Sequence, residues 1–316
     1  MNRIFVGIDV QPGGLCLAAL QRSRPATRLV GLHYEELDGV LEVSGRQPNI
    51  RDARRFVEGV RRGVDALAGQ EERIALSLPD RAGRIYLAEV DAPFKSHQEG
   101  VDILKWRLKS SLPAPPAQVK LDYQVLDKRE DGRQHCVVAA IAQTVLEQYE
   151  DLVNEAGRHA IQIDFHSLNL YNYYRPRIDL GEEFILVGLE NGLLSIQYVI
   201  GHSLCYQRVR EFKANPERVF REINRTLVEA YAAFPAMRRC LVFAHIDADM
   251  ESDVDKLQMT TTSSTSGMEQ LLAAAFEREV KCLDPSLKRF SGEMNTGSLQ
   301  PLGSVIAAVA AAERMM

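Results

Sequence analysis

An acidic residue at the end of an apolar run, followed by a glycine-containing turn, is the feature of this sequence closest to a chemical site. The segment is VGIDVQPGGLCLAAL, residues 6–20, in which Asp9 precedes the turn and Gly13 and Gly14 lie within it. Backbone N–H groups of such a turn can approach phosphate oxygens, and a carboxylate beside them can bind Mg²⁺ or its waters. The pattern is typical of the first half of a phosphate-binding β-hairpin.

Two other groups of residues have types that could do chemistry. His245, Asp247 and Asp249 alternate along CLVFAHIDADM and are either metal ligands or a polar loop after a buried strand. Cys136, beside His135, is either a nucleophile or a core thiol. The sequence contains none of the common P-loop, dinucleotide-binding or zinc-protease motifs, and we assign no catalytic or metal-binding residue.

Composition and charge exclude several classes of protein. The chain has 316 residues, of which 46% are hydrophobic and 26% charged, and its net charge of −5 gives no electrostatic reason to bind nucleic acid. Five widely spaced cysteines indicate reduced thiols rather than a disulfide framework. No segment reaches the roughly 20 apolar residues that a membrane-spanning helix needs. We therefore expect a soluble cytoplasmic protein without a nucleic-acid partner.

The pattern of apolar residues predicts two related α/β lobes. Three short apolar runs between residues 3 and 35 are separated by turn residues, which is typical of a β-meander. A second meander of the same outline spans residues 182–212, and helices with apolar residues at helical spacing follow each meander. A hairpin meander leading into helices therefore occurs twice in the chain.

Residues 84–141 predict a compact β-α-β-β insert in the first lobe. Its helix starts near Ser96 and carries Trp106, the only tryptophan, before the proline-rich segment LPAPP ends it. Tryptophan buries a large area with few rotatable bonds, so Trp106 can anchor a bound peptide. It can equally form the core of the small insert, and the sequence does not decide between these alternatives.

Six segments of the chain, taken in order, form a recognisable set. They are GID (7–9), the Trp106 helix with LPAPP (112–116), LDYQVL (121–126), YEDLVNEAG (149–157), IDFHSLNL (163–170) and INRTL (223–227). Together they resemble the PilM family, the actin-like proteins of type IV pilus assembly, and more distantly the cytoplasmic part of the GspL proteins of type II secretion. No segment is diagnostic alone, but their order and spacing together are specific.

The resemblance implies an α/β actin-like or hexokinase fold, which is ribonuclease H-like and has two lobes. The first lobe is expected at residues 1–175, with a small α+β insert at 84–141, and the second at 176–300. The second-lobe insert is reduced, and the closing helix, 301–316, is expected to pack back on the first lobe.

The resemblance also implies an ATP site between two hairpin turns, from which this sequence departs. Asp9 stands where the family has an aspartate. Gln11 replaces the usual glycine, Pro12 has no N–H group, and Cys16 stands at a commonly basic position. In the second meander, Val187 replaces the other aspartate.

Asp9, Gly13, Gly14 and Gly303 are thus expected to be the remnant of a nucleotide cleft. No cofactor is predicted, and ATP with Mg²⁺ is the alternative.

The partners implied by the resemblance are a PilN-like bitopic membrane protein, whose cytoplasmic N-terminal tail binds the first lobe and its insert, and a pilus or secretion motor ATPase. Trp106, Leu112 and Pro113 are the predicted tail-binding residues. The predicted function is a non-catalytic cytoplasmic scaffold of the type IV pilus inner-membrane platform, associated with that membrane through its partner. The alternatives are an ATP-binding actin-like switch and a GspL-like component of type II secretion.

Overall fold

The structure is a computed structural model that describes residues 3–24, 26–128, 132–190, 192–211, 216–246, 267–291 and 305–316. The chain divides into two compact units. The first contains the described residues up to Tyr173, together with 287–291 and 305–316. The second contains the described residues from Tyr174 to Ser286.

The described strands and helices follow the order expected for two α/β lobes. The strands are β1 (Ile4–Gln11), β2 (Gly14–Gln21), β3 (Arg28–Glu36), β4 (Arg73–Leu78), β5 (Gly83–Val90), β6 (Val119–Lys128), β7 (Gln134–Ala142), β8 (His159–Phe165), β9 (Phe184–Glu190), β10 (Leu193–Ile200), β11 (Ser203–Glu211), β12 (Leu241–Ile246) and β13 (Lys281–Cys282). The helices are α1 (Ala53–Ala68), α2 (His97–Arg107), α3 (Gln143–Glu155), α4 (His166–Ile178), α5 (Pro216–Ala233), α6 (Gly267–Phe276) and α7 (Ile306–Arg314).

The first unit is built on a five-stranded sheet in the order β3-β2-β1-β4-β8. The first three strands form the predicted antiparallel meander, while β4 and β8 are parallel to β1. A parallel connection requires a crossover, and α1 provides it between β3 and β4. The apolar face of α1, including Phe56, Val60 and Val64, is buried in the core with the central strands.

The closing helix α7 packs on β1 at unusually short range. Seven consecutive residues of this helix, from Ile306 to Ala312, are buried. Gly7 lies beneath it, where an added Cβ would be 2.0 Å from the carbonyl oxygen of Ala308. A glycine in β1 and alanines in α7 therefore allow the helix backbone to approach the sheet closely.

The insert of the first unit is a three-stranded antiparallel sheet, in the order β5-β7-β6, covered by α2. Ser96 caps α2 by accepting a hydrogen bond from the N–H of Glu99 (3.1 Å). Tyr123, from the LDYQVL segment, packs on Gly100, where a Cβ would lie 2.2 Å from the tyrosine hydroxyl. The Tyr123 ring also stacks on the His97 imidazole, with the two ring centres 4.9 Å apart.

The second unit repeats the strand plan of the first. Its sheet has the order β11-β10-β9-β12-β13, with an antiparallel meander followed by parallel strands. Helices α5 and α6 pack together, and their residues Val219, Ile223, Leu227 and Leu272 are buried in its core.

One boundary differs from the sequence expectation. Residues 287–300 were expected in the second lobe, but the described residues 287–291 belong to the first unit. The physical reason is a backbone bridge between Ser291 and β3, in which the N–H of Leu29 donates to the Ser291 carbonyl (2.9 Å) and the N–H of Ser291 donates to the Thr27 carbonyl (3.0 Å).

We expect Gly7→Ala to lower the free energy of unfolding by about 3 kcal/mol or more, because the new methyl group meets helix backbone that cannot rotate away. Gly69→Ala is the matched control, since its Cβ meets nothing closer than 3.6 Å and the residue has a helical φ of −56°. Urea denaturation followed by circular dichroism measures both variants. Equal stability of the two would contradict the close approach of α7 to β1.

Candidate functional site

Asp9 is fully buried at the end of the central strand β1, and both of its carboxylate oxygens are engaged by side chains of the first unit. The amide of Gln11 donates to Oδ2 (2.8 Å), and Nδ1 of His166 lies 2.9 Å from Oδ1 and 3.0 Å from Oδ2. His166 begins α4, whose first turn is held by Asp80 through the N–H of Ser167 (3.0 Å). The carboxylate is therefore part of a buried polar cluster.

The glycine pair after Asp9 has a packing role. Gln11 pairs with Gly14 across the hairpin, which leaves Pro12 and Gly13 as the two turn residues. A Cβ on Gly14 would lie 2.2 Å from the carbonyl oxygen of Glu35, and the Gly13 carbonyl accepts a hydrogen bond from the N–H of Leu37 (2.8 Å). Because Pro12 has no N–H, Gly13 is the one residue of this turn whose amide could face a phosphate.

The second unit places a different set of polar side chains near the end of its central strand. Val187 and Leu189 are fully buried in β9, and Glu190 follows them. His245, at the end of β12, is buried with its Nδ1 2.7 Å from the Tyr174 hydroxyl and its Nε2 3.7 Å from a Glu190 oxygen. The remaining predicted residues here, Asp247, Asp249 and Gly303, lie outside the described residues.

The structure also bears on the candidate nucleophile Cys136 and on the possible metal ligands. Cys136 is fully buried, and burial raises the pKa of its thiol, so the reactive thiolate is disfavoured and the core-thiol interpretation holds. All five cysteines are free. Within the described ranges, no group of three or more His, Cys, Asp or Glu residues is placed to bind a metal ion.

An apolar groove of about 250 Å³ lies between two strands of the first unit, β6 of the insert and β8 of the main sheet. Both strands are at the end of their sheets' strand orders. The groove is lined by Leu78, Lys120, Leu121, Asp122, Ala139, Ala140, Ile141, Leu146, Glu150, Ala160, Ile161, Gln162, Ile163, Asp164 and Phe165. We call this feature the β6–β8 groove.

Ile161 is the most exposed large apolar side chain of the β6–β8 groove, with 52% of its surface accessible. The pairing of β4 with β8 skips one residue here, because Ile74 pairs with Ala160 and Ala75 with Gln162. Such a bulge bends an edge strand and can redirect its side chain. The strand therefore presents an isoleucine to solvent at a site where an extended segment could pair with it.

Charged side chains of the β6–β8 groove are mostly acidic. Asp164 forms an ion pair with Arg314 (3.1 Å), and Asp122 lies 3.1 Å from His97 Nε2. Glu150 projects from α3 and is partly buried, and no ion pair or hydrogen bond engages its side chain among the described residues. Lys120 is the groove's one lysine or arginine within the described chain.

The predicted tail-binding residues Trp106, Leu112 and Pro113 lie outside the lining of the β6–β8 groove. Trp106 is 69% exposed on α2, with Lys109 Nζ 5.5 Å from its ring centre, so it is not the core of the insert. Leu112 and Pro113, further along the chain, are buried, and Leu112 packs with Val119 and Ala140. Their role in partner binding stays a prediction.

Sequence reasoning missed the residues of the β6–β8 groove. Ile161 stands in a segment, AIQIDF, whose apolar pattern predicted only a strand. Nothing in that pattern indicates whether a strand is central or at an edge. Ile161, Ile163 and Phe165 alternate regularly along this segment, so no local signal marks Ile161 as the exposed residue.

The fold of the chain is similar to that of many solved structures. A chain of the PilM-PilN type IV pilus biogenesis complex matches with a TM-score of 0.74 and 16% identity over 98% of both chains. A Bacteroides thetaiotaomicron protein with an actin-like ATPase fold and unknown function matches with a TM-score of 0.52 and 10% identity, over 90% of this chain and 92% of that one.

The third similar structure is the cytoplasmic domain of EpsL, an inner membrane component of the type II secretion system of Vibrio cholerae. It matches with a TM-score of 0.50 and 10% identity, over 98% of this chain and 94% of that one. By sequence, neither a protein-family model nor a curated protein matches this chain. The structural likenesses establish the fold: this chain has an actin-like fold, and it is similar in fold to the chain of the PilM-PilN complex.

We expect Asp9→Ala to lower the free energy of unfolding by about 2 kcal/mol, because Gln11 and His166 lose a buried hydrogen-bond acceptor. Asp9→Asn retains an acceptor oxygen and is expected to lose less. Both are measured by urea denaturation of the full chain. A neutral or stabilising effect of Asp9→Ala would instead indicate a carboxylate kept for ligand binding at the expense of stability.

Proposed function

We propose that this protein is a non-catalytic, PilM-like scaffold that holds the extended cytoplasmic tail of a bitopic membrane protein in the β6–β8 groove. The observation that carries the proposal is the groove itself, an apolar channel between two strands that each end a sheet. An extended peptide can add to such an edge through backbone hydrogen bonds, while alternate side chains enter the space between the sheets.

The size of the β6–β8 groove supports a peptide as its occupant. Its volume of about 250 Å³ is below the range of roughly 300–1,000 Å³ typical of small-molecule sites. Buried apolar residues, including Leu78, Ile141 and Phe165, form part of its lining. Such a lining suits a few apolar side chains of a peptide better than a charged nucleotide.

The likeness to a chain of the PilM-PilN complex supports a PilN-like partner. No described helix is long and apolar enough to cross a membrane. In this proposal the protein is cytoplasmic and the tail in the groove holds it at the inner membrane. Trp106, Leu112 and Pro113 are proposed to contact the same partner outside the groove, and a motor ATPase of the machine is a second proposed partner.

We further infer that the protein works without ATP. Asp9 is already bonded by Gln11 and His166, Pro12 removes an amide donor from the turn, and buried Val187 stands where a second acid is expected. The competing function is an ATP-binding switch, which the actin-like ATPase fold of a similar structure favours. A role in type II secretion is a further alternative, supported by the similarity to the EpsL domain, which is lower than that to the PilM-PilN complex.

We expect Ile161→Arg to reduce binding of the PilN-like partner by more than tenfold, because it places a charge in an apolar groove. The folded state should persist, since the side chain is half exposed. The measurement is recovery of the partner from detergent-solubilised membranes by tagged variants. Leu180→Arg is the matched control, because Leu180 is 77% exposed in the second unit. Full recovery by Ile161→Arg would overturn the groove proposal.

Millimolar Mg-ATP is expected to leave the melting temperature of the full chain unchanged. A ligand at 100 times its dissociation constant would add about 2.7 kcal/mol of stability, which thermal melting detects readily. Mg-ADP and Mg²⁺ alone serve as further ligands in the same assay. A nucleotide-dependent rise that disappears in Asp9→Asn would favour the ATP-binding switch.

A further inference from the structure

We propose that Glu150 determines the specificity of the β6–β8 groove by pairing with a lysine or arginine of the bound tail. This inference rests on the proposed function of the groove and deepens it. It states which chemistry the groove recognises in addition to apolar side chains. The residue lies on α3 and is part of the lining of the groove.

Glu150 differs from the neighbouring acidic residues in the partners of its carboxylate. Asp164 is neutralised by Arg314, and Asp122 lies beside His97. Glu147, one turn earlier on α3, accepts a hydrogen bond from the Gln143 amide (2.6 Å). Glu150 is partly buried against an apolar groove, and no partner within the described chain engages its carboxylate.

A carboxylate in this position attracts a cation from an incoming peptide. When a peptide fills the groove, it removes water from the Glu150 side chain, and an uncompensated carboxylate then opposes binding. A lysine or arginine of the peptide replaces that water with a charge-assisted hydrogen bond. Lys120, on β6, is exposed and does not lie within ion-pair distance of Glu150, so it leaves the carboxylate available.

The expected occupant carries such a cation for an independent reason. Segments that flank a membrane-spanning helix on the cytoplasmic side are enriched in lysine and arginine within about 15–20 residues of the membrane. A tail of a bitopic membrane protein therefore combines apolar residues with cations. This composition matches a groove that is apolar in its lining and acidic at Glu150.

The experiment selects peptides from a phage-displayed random dodecapeptide library on the full-length protein. Peptides whose binding is lost on Ile161→Arg are retained as groove ligands, and their affinities are measured by isothermal titration calorimetry. Each is also made with its lysines and arginines replaced by glutamine. The proteins compared are the wild type, Glu150→Gln and, as the matched control on the same helix, Glu147→Gln.

We expect the groove ligands to share a lysine or arginine, and Glu150→Gln to weaken them by roughly tenfold while Glu147→Gln has little effect. The glutamine-substituted peptides should bind wild type and Glu150→Gln equally. Groove ligands without a cation, or with equal affinity for Glu150→Gln, would overturn this inference and leave the groove proposal standing. A failure to obtain any groove ligand would overturn both.

Discussion

The contact between Phe165 and Gly83 sets the separation of the two sheets in the first unit. A Cβ at Gly83 would lie 2.2 Å from the Phe165 ring and 2.6 Å from the carbonyl oxygen of Ala140. The aromatic ring therefore lies directly against the backbone of the insert sheet, where β5 pairs with β7. Because Phe165 ends β8, this contact holds the main sheet beside the insert at the distance that forms the β6–β8 groove.

The first hairpin illustrates how packing can require specific residues at a turn. The strand pairing around Asp9 requires a tight turn and close contact with β3. Gly14 allows this close contact, because any side chain there would clash with the Glu35 carbonyl. Asp9 is held by His166 at the start of α4. Gly14 and Asp9 therefore both have a role in packing, and because fold alone does not define function, these roles leave the question of a ligand to experiment.

Much of the fold could be predicted from the sequence, because its signals are local. Turn residues divide both meanders, the apolar spacing of α1 marks its buried face, and Ser96 caps α2. The pairing of the described residues 287–291 with the first unit could not be predicted. It depends on backbone hydrogen bonds between Ser291 and residues 27–29, far apart in the chain, which leave no pattern in the sequence.

The sequence by itself determined the two-meander plan, the position of the insert and the resemblance to an actin-like family. Only the tertiary structure decided that Trp106 is exposed rather than core, that Ile161 projects from an edge strand, and that Glu150 lines an apolar groove. The physical reason is that periodicity and turn chemistry report which face of an element is buried. Which strand lies at a sheet edge, and which carboxylate lacks a partner, depends on contacts between segments distant in the chain.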